Sequence, residues 1–181
     1  VSARHGLRGQ AGGGGLPSIA RKKYFVVTFI GGQHRGSMSG DGTIRTVLAK
    51  QCQARQTGGE CLMSPAKHLS ARVATETALS TYLLSTFSMQ PQGDSFTRKG
   101  VFDSLLAGCI PVYFHELSFT GQYPWHISAQ EFQRISLFVP STKVRQPGFN
   151  VVDYLKAIPR HRVRQMQAHI ARIAFRLQYS A

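Results

Sequence analysis

The stretch Gln90–Arg98, QPQGDSFTR, concentrates groups that bind anions. Ser95 and Thr97 offer hydroxyl donors, Gly93 lets a ligand approach the backbone, and Asp94 is of the type that caps turns and helices. Val101–Gly108 (VFDSLLAG) has the spacing of an amphipathic helix start. The first turn of a helix presents free N–H groups and a partial positive charge, and both favour a phosphate. Arg98 stands at that mouth with a planar fork that can grip a diphosphate through two parallel bonds. Cys109–Phe114 (CIPVYF) then reads as a buried strand. An ordinary turn capped by Asp94 is the plain alternative for the loop. The combination of loop, helix mouth and arginine instead describes a nucleotide-diphosphate site in an α/β layer.

Further candidates flank this segment. Arg45 sits at the start of an earlier helical stretch, behind a glycine loop that also carries His34 and Arg35. Lys99 follows Arg98 with charge but no fork, so it ranks second. Asp103 is the one carboxylate of its helix start, where it can either complement the helix dipole or hold ribose hydroxyls. His115 and Glu116 follow the CIPVYF strand, at the sheet edge where α/β proteins bind ligands. Tyr123 and Trp125 fit either a cleft lining or the core.

These residues need a scaffold. Lys23–Ile30 (KYFVVTFI) is a continuous β-branched and aromatic run, as expected of a strand buried on both faces, and Gly31 and Gly32 end it. Helical spacing over Thr43–Gln51 puts Ile44, Val47 and Leu48 on one face. A short strand is expected at 60–63, a helix at 70–85 and a strand at 86–89. The helix after Arg98 is expected to bury Phe102, Leu105 and Leu106. Strands at 110–114 and 135–139, a short helix at 151–157 and a last helix at 160–178 complete the reading. Repetition of strand, loop and helix implies a Rossmann-like α/β fold, a mostly parallel sheet with flanking helices.

The segment GDSFTRKGVFDSLLAGCIPVYFH resembles the donor-site signature of the exostosin-like glycosyltransferases, in their plant and algal xyloglucan galactosyltransferase-like branch. Phe29–Gly32 (FIGG), Ile44–Cys52 (IRTVLAKQC), Gln122–His126 and Leu137–Arg145 resemble other motifs of that family. The resemblance covers residues 23–178. It implies an inverting, metal-independent transfer from a UDP-sugar to a glycan acceptor, with no other cofactor; the chain has no DxD motif. It places Arg98, Arg45, Gly93, Asp94, Ser95 and Thr97 at the donor phosphates, Asp103 at the ribose and His115 in the donor-sugar pocket; Glu116 departs from the family pattern and is a catalytic candidate only as a carboxylate at the cleft edge. It also implies that this chain is the C-terminal, donor-binding half of a two-Rossmann (GT-B type) enzyme. Such enzymes are Golgi proteins with a lumenal catalytic part, so a membrane anchor is expected upstream of Val1.

The 181 residues make one domain or part of a larger one, and an apolar fraction of 42% supports a sizeable core. Residues 1–22, rich in Gly and Arg, read as a disordered linker. Lys and Arg number 22 against 8 Asp and Glu, a formal charge of +14 that suits an acidic partner. A polyanion-binding module is therefore a rival reading, and a non-catalytic remnant of the donor fold is another. No aromatic and basic RNA-binding signature is present, so no nucleic-acid partner is expected. Cys52 and Cys61 flank a polar loop and either close a short disulfide in an oxidising compartment or stay thiols. Cys109 is expected to be a buried thiol, and the scattered histidines do not form a zinc site.

Overall fold

The computed structural model describes residues 22–31, 42–64, 71–93, 95–121 and 124–177. Expectations for the segment before Lys22 and for His34, Arg35, Asp94 and Tyr123 lie outside them. Five strands form one sheet: β1 (Phe25–Ile30), β2 (Cys61–Ser64), β3 (Ser85–Gln90), β4 (Ile110–Tyr113) and β5 (Leu137–Phe138). Every pairing is parallel, in the order β2-β1-β3-β4-β5. Residues of β3 and β4 are almost all buried, as a parallel sheet covered on both faces requires.

The helices are α1 (Gly42–Gln53), α2 (Ala71–Leu84), α3 (Lys99–Leu106), α4 (Glu116–Thr120), α5 (Ala129–Ile135), α6 (Ser141–Val144), α7 (Val151–Lys156) and α8 (Arg160–Ile173), with a 3-10 turn at Ala174–Leu177. The chain runs outward from β1 to β2, then turns back and continues through β3, β4 and β5. Parallel crossovers are right-handed, so the reversal puts α1 on one face and α2, α3 and α5 on the other. The packing agrees: α1 contacts α6 and α7, α2 contacts α3, and α5 contacts α8. The core runs through both layers, from Phe29, Ile44 and Leu48 to Leu105, Tyr113 and Ile170.

Three expectations are corrected. The segment before residue 136 is helical, and the fifth strand is only Leu137–Phe138. A capping box starts α5: the Ser128 hydroxyl accepts from the Glu131 N–H, and the Glu131 carboxylate accepts from the Ser128 N–H. The buried stripe of α3 is Val101, Ser104 and Leu105, with Phe102 and Leu106 half-buried, because Ser104 turns its hydroxyl back to the Val101 carbonyl at 2.8 Å. The last α-helix ends at Ile173 and tightens into the 3-10 turn.

One corner is tied covalently. Cys52, in the last turn of α1, is bonded to Cys61, which begins β2 (Cα–Cα 5.3 Å). Arg55 grips Asp153 with two hydrogen bonds, of 3.0 and 2.6 Å, and Lys156 pairs with Glu60, so α7 is held to the same corner. Gln51 latches α1 further along: its amide donates to the Phe149 carbonyl at 2.9 Å and accepts from the Val151 N–H at 2.9 Å. Cys109 is a buried thiol whose pKa is pushed up to about 12 by burial. That keeps it protonated and unreactive.

Candidate functional site

In an open parallel sheet, ligands bind at the carboxyl edge where the strand order reverses. Here that point lies between β1 and β3. β1 ends at Ile30 and Gly31, and β3 ends at Gln90. Gly31 has φ +146°, a conformation that only glycine adopts readily. It turns the chain away from the strand and leaves open the space a side chain would fill. Two arginines use that space. A Cβ on Gly31 would lie 2.7 Å from Nη2 of Arg45 and 3.6 Å from Nη2 of Arg98. Two guanidinium ends from the starts of α1 and α3 thus meet within 4 Å of one point.

Backbone carbonyls fix both arginines. Arg98 donates to Pro91 O at 2.6 Å and to Ile30 O at 3.4 Å, and Arg45 donates to Gln92 O at 3.1 Å. The carbonyls come from the ends of β1 and of the β3 loop, so the site exists only when the two strands lie side by side. Burial, with Arg45's charge as the next cause, lowers the Arg98 pKa to about 10. Two cations thus stand side by side at the sheet edge, an arrangement that favours an anion between them.

The helix mouth adds donors. Arg98 is the N-cap of α3, in extended conformation, and no side chain caps the helix. The cap position therefore belongs to Arg98 and not to an aspartate. The Ser95 hydroxyl donates to Thr97 O at 3.1 Å and lies 3.2 Å from the Thr97 hydroxyl, so both expected phosphate donors are exposed and clustered before the helix. A Cβ at Gly93 would meet nothing within 4 Å, so no contact among the described residues demands glycine there. α3 is locked in place through Gly100, where a Cβ would come within 2.8 Å of the Tyr82 hydroxyl and 3.2 Å of the Gln90 amide. The buried Gln90 amide donates to Gly100 O at 3.2 Å, a β3-to-α3 contact that sequence reasoning missed.

Asp103 is engaged by Lys99, whose ammonium donates to both carboxylate oxygens at 2.8 and 2.7 Å. Lys99 is largely exposed, and such an i,i+4 pair holds by only about 0.3–0.5 kcal/mol. The carboxylate is thus easily exchanged to another partner. His115 is the N-cap of α4: its Nδ1 accepts from the Leu117 N–H at 3.2 Å. In a neutral ring the proton then resides on Nε2, which is a donor. Phe96 stacks on His115 at 4.9 Å and links the signature loop to the end of β4. It too was missed, although it lies between two singled-out residues. Glu116 is exposed in the first turn of α4. Trp125 is 74% exposed, which removes core packing as its role.

A Rossmann-like parallel sheet with two arginines meeting at its switch point is the architecture of an α/β domain that takes its ligand at the carboxyl edge. The Exostosin GT47 domain model matches residues 15–154, and the chain belongs to that family. It is similar to "Xyloglucan galactosyltransferase MUR3" of Arabidopsis thaliana, with 36% identity over 141 residues, 76% of this chain and 22% of that protein. It is also similar to "Probable xyloglucan galactosyltransferase GT15" of the same plant, with 34% identity over 156 residues, 86% of this chain and 32% of that protein. "Xyloglucan-specific galacturonosyltransferase 1", again from Arabidopsis thaliana, is 29% identical over 160 residues, 84% of this chain and 22% of that protein. The chain therefore spans between a fifth and a third of the length of these relatives. No helix among the described residues is long and apolar enough to cross a membrane.

Proposed function

We propose that this chain is the donor-binding part of a glycosyltransferase that moves a sugar, galactose or a close relative, from a UDP donor to a polysaccharide or glycoprotein glycan. The observation that carries the reading is the pair Arg45 and Arg98 over Gly31, at the switch point of a parallel sheet. Family membership and the relatives' printed names support the reaction class.

In this mechanism an acceptor hydroxyl attacks the anomeric carbon, the bond from that carbon to the diphosphate oxygen breaks, and configuration inverts. The electron pair leaves with UDP. Arg98, Arg45 and the N–H groups of the α3 mouth neutralise the growing charge without a divalent ion. Asp103 exchanges Lys99 for the ribose hydroxyls. His115 donates through Nε2 to the donor sugar, and Glu116 offers a carboxylate to the proton of the attacking hydroxyl. The enzyme works in the Golgi lumen, held by an anchor in the part of the protein upstream of this chain.

The test is the longer parent protein, assayed with a panel of UDP-sugars for UDP release and glycan transfer. Turnover with one donor, persisting in EDTA, is expected. No UDP binding and no turnover with any donor would sink the reading. Loss of activity in EDTA with recovery in manganese would overturn the metal-free step.

A further inference from the structure

A second concave site lies between α5 and α8, with a volume of about 410 Å³, within the range of small-ligand sites. None of its lining residues belongs to the Arg45–Arg98 site. Its floor is apolar, from the buried Ile135 and Ile173, and Phe175, 60% exposed, forms part of its wall.

The charges are one-sided. Arg134 and Arg172 line the cleft, both exposed and without a hydrogen-bond or ion-pair partner among the described residues. Glu131 is the one carboxylate of the lining, and Arg176 already pairs with it. That contact, followed by the Ser128 N–H, holds the Glu131 carboxyl below the usual carboxylate range, so it stays an occupied anion. No Asp or Glu occurs anywhere from Arg160 to the end of the chain. Two free guanidinium forks beside an apolar floor and an aromatic face call for a ligand with a carboxylate on one rim and a C–H face beneath. A bare phosphate would leave the apolar floor unused. An acyl chain would leave the guanidinium forks unused.

We propose that the cleft between α5 and α8 binds a carboxylate-bearing sugar residue of an acidic glycan, with Arg134 and Arg172 on the carboxylate and the ring face against Phe175. The site is separate from the donor site, so it stands or falls independently of the reading above. It gives the protein a hold on acidic polysaccharide away from the point of transfer.

The experiment is calorimetric titration of the chain with a galacturonate trisaccharide, the neutral galactose trisaccharide, inorganic phosphate and a short single-stranded oligonucleotide. Binding of the galacturonate is expected, at least tenfold tighter than that of the neutral sugar. Arg134→Gln and Arg172→Gln should each weaken it about tenfold, the usual worth of a charge-assisted contact. Phe175→Ala should weaken it several-fold. Arg162→Gln, on the same helix but outside the cleft, should leave it unchanged, as should saturating UDP. All four side chains are exposed, and unchanged melting temperatures will show that the variants fold. Failure of the galacturonate to bind overturns the proposal. So do equal binding of the neutral sugar, an equal loss in Arg162→Gln, or tighter binding of phosphate or oligonucleotide.

Discussion

Replacing Arg98 by alanine tests the candidate site most directly. The guanidinium is held by carbonyls of Pro91 and Ile30 and faces Arg45 across Gly31. Burial, and then the neighbouring cation, lowers its pKa to about 10, so keeping the charge at neutral pH costs on the order of 3 kcal/mol. In the proposed complex a diphosphate offsets that penalty. Charge-assisted hydrogen bonds of this kind contribute about 1.5–3 kcal/mol, so Arg98→Ala should weaken UDP binding by about 10- to 100-fold. Arg98→Lys should recover only part, because a single ammonium cannot reach both carbonyls and a phosphate. Isothermal titration of the chain with UDP reads the effect, with Arg176→Ala as a control remote from the site. The pH dependence has a definite sign. Anion binding requires the charged arginine, and bound UDP raises its pKa, so affinity is full below about 10 and falls as pH rises through that value. Without ligand, the lowered pKa means the unfolded chain holds more protons above about 10, so Arg98 destabilises the fold at neutral pH and that cost fades as pH rises from about 10 toward the ordinary guanidinium value. An Arg98→Ala chain that binds UDP as wild type would refute the reasoning. On the proposed function, the same substitution in the longer protein should lower transfer by about 10²–10³.

Gly31→Ala forces an L side chain into φ +146° and onto the Arg45 guanidinium; it should destabilise the fold by about 1–3 kcal/mol in urea melts and weaken UDP binding together with it. If UDP affinity survives intact, the arginines do not converge over Gly31. Breaking the Cys52–Cys61 bond by paired serine substitution should lower stability by about 2.5 kcal/mol, as a loop closed across a separation of 9 residues implies, and reductant should reproduce the loss. A melt indifferent to reductant would deny the bond a role. Tyr113 buries a hydroxyl with no hydrogen-bond partner among the described residues, and burial drives its pKa upward. Tyr113→Phe should therefore be neutral or stabilising by up to about 1 kcal/mol, and a clear loss of stability would reveal a partner for that hydroxyl.

Much of this protein is local chemistry and was legible in the chain. The β-branched run before Gly31, the helical spacing after Gly42 and the apolar run at Ile110 produce β1, α1 and β4, because periodicity and side-chain shape act over a few residues. The hydroxyls, the glycine and the arginine of the loop ending at Arg98 were readable for the same reason. So were two signals that the expectations passed over: the capping box Ser128–Glu131 that starts α5, and the i,i+4 spacing that pairs Lys99 with Asp103. Cys52 and Cys61 left their pairing open, since bond formation depends on where β2 lies against the end of α1. Strand order was beyond local reading too, because β2-β1-β3-β4-β5 follows from which strands pair across long separations. That order decides the site. It brings the ends of β1 and β3 together, so that carbonyls of Ile30, Pro91 and Gln92 can hold Arg45 and Arg98 around one glycine. The sequence determined that arginines, a glycine turn and a helix mouth were present. Only tertiary structure decided that residues 31, 45 and 98 share one point, because that convergence depends on parallel pairing and helix packing between segments far apart in the chain.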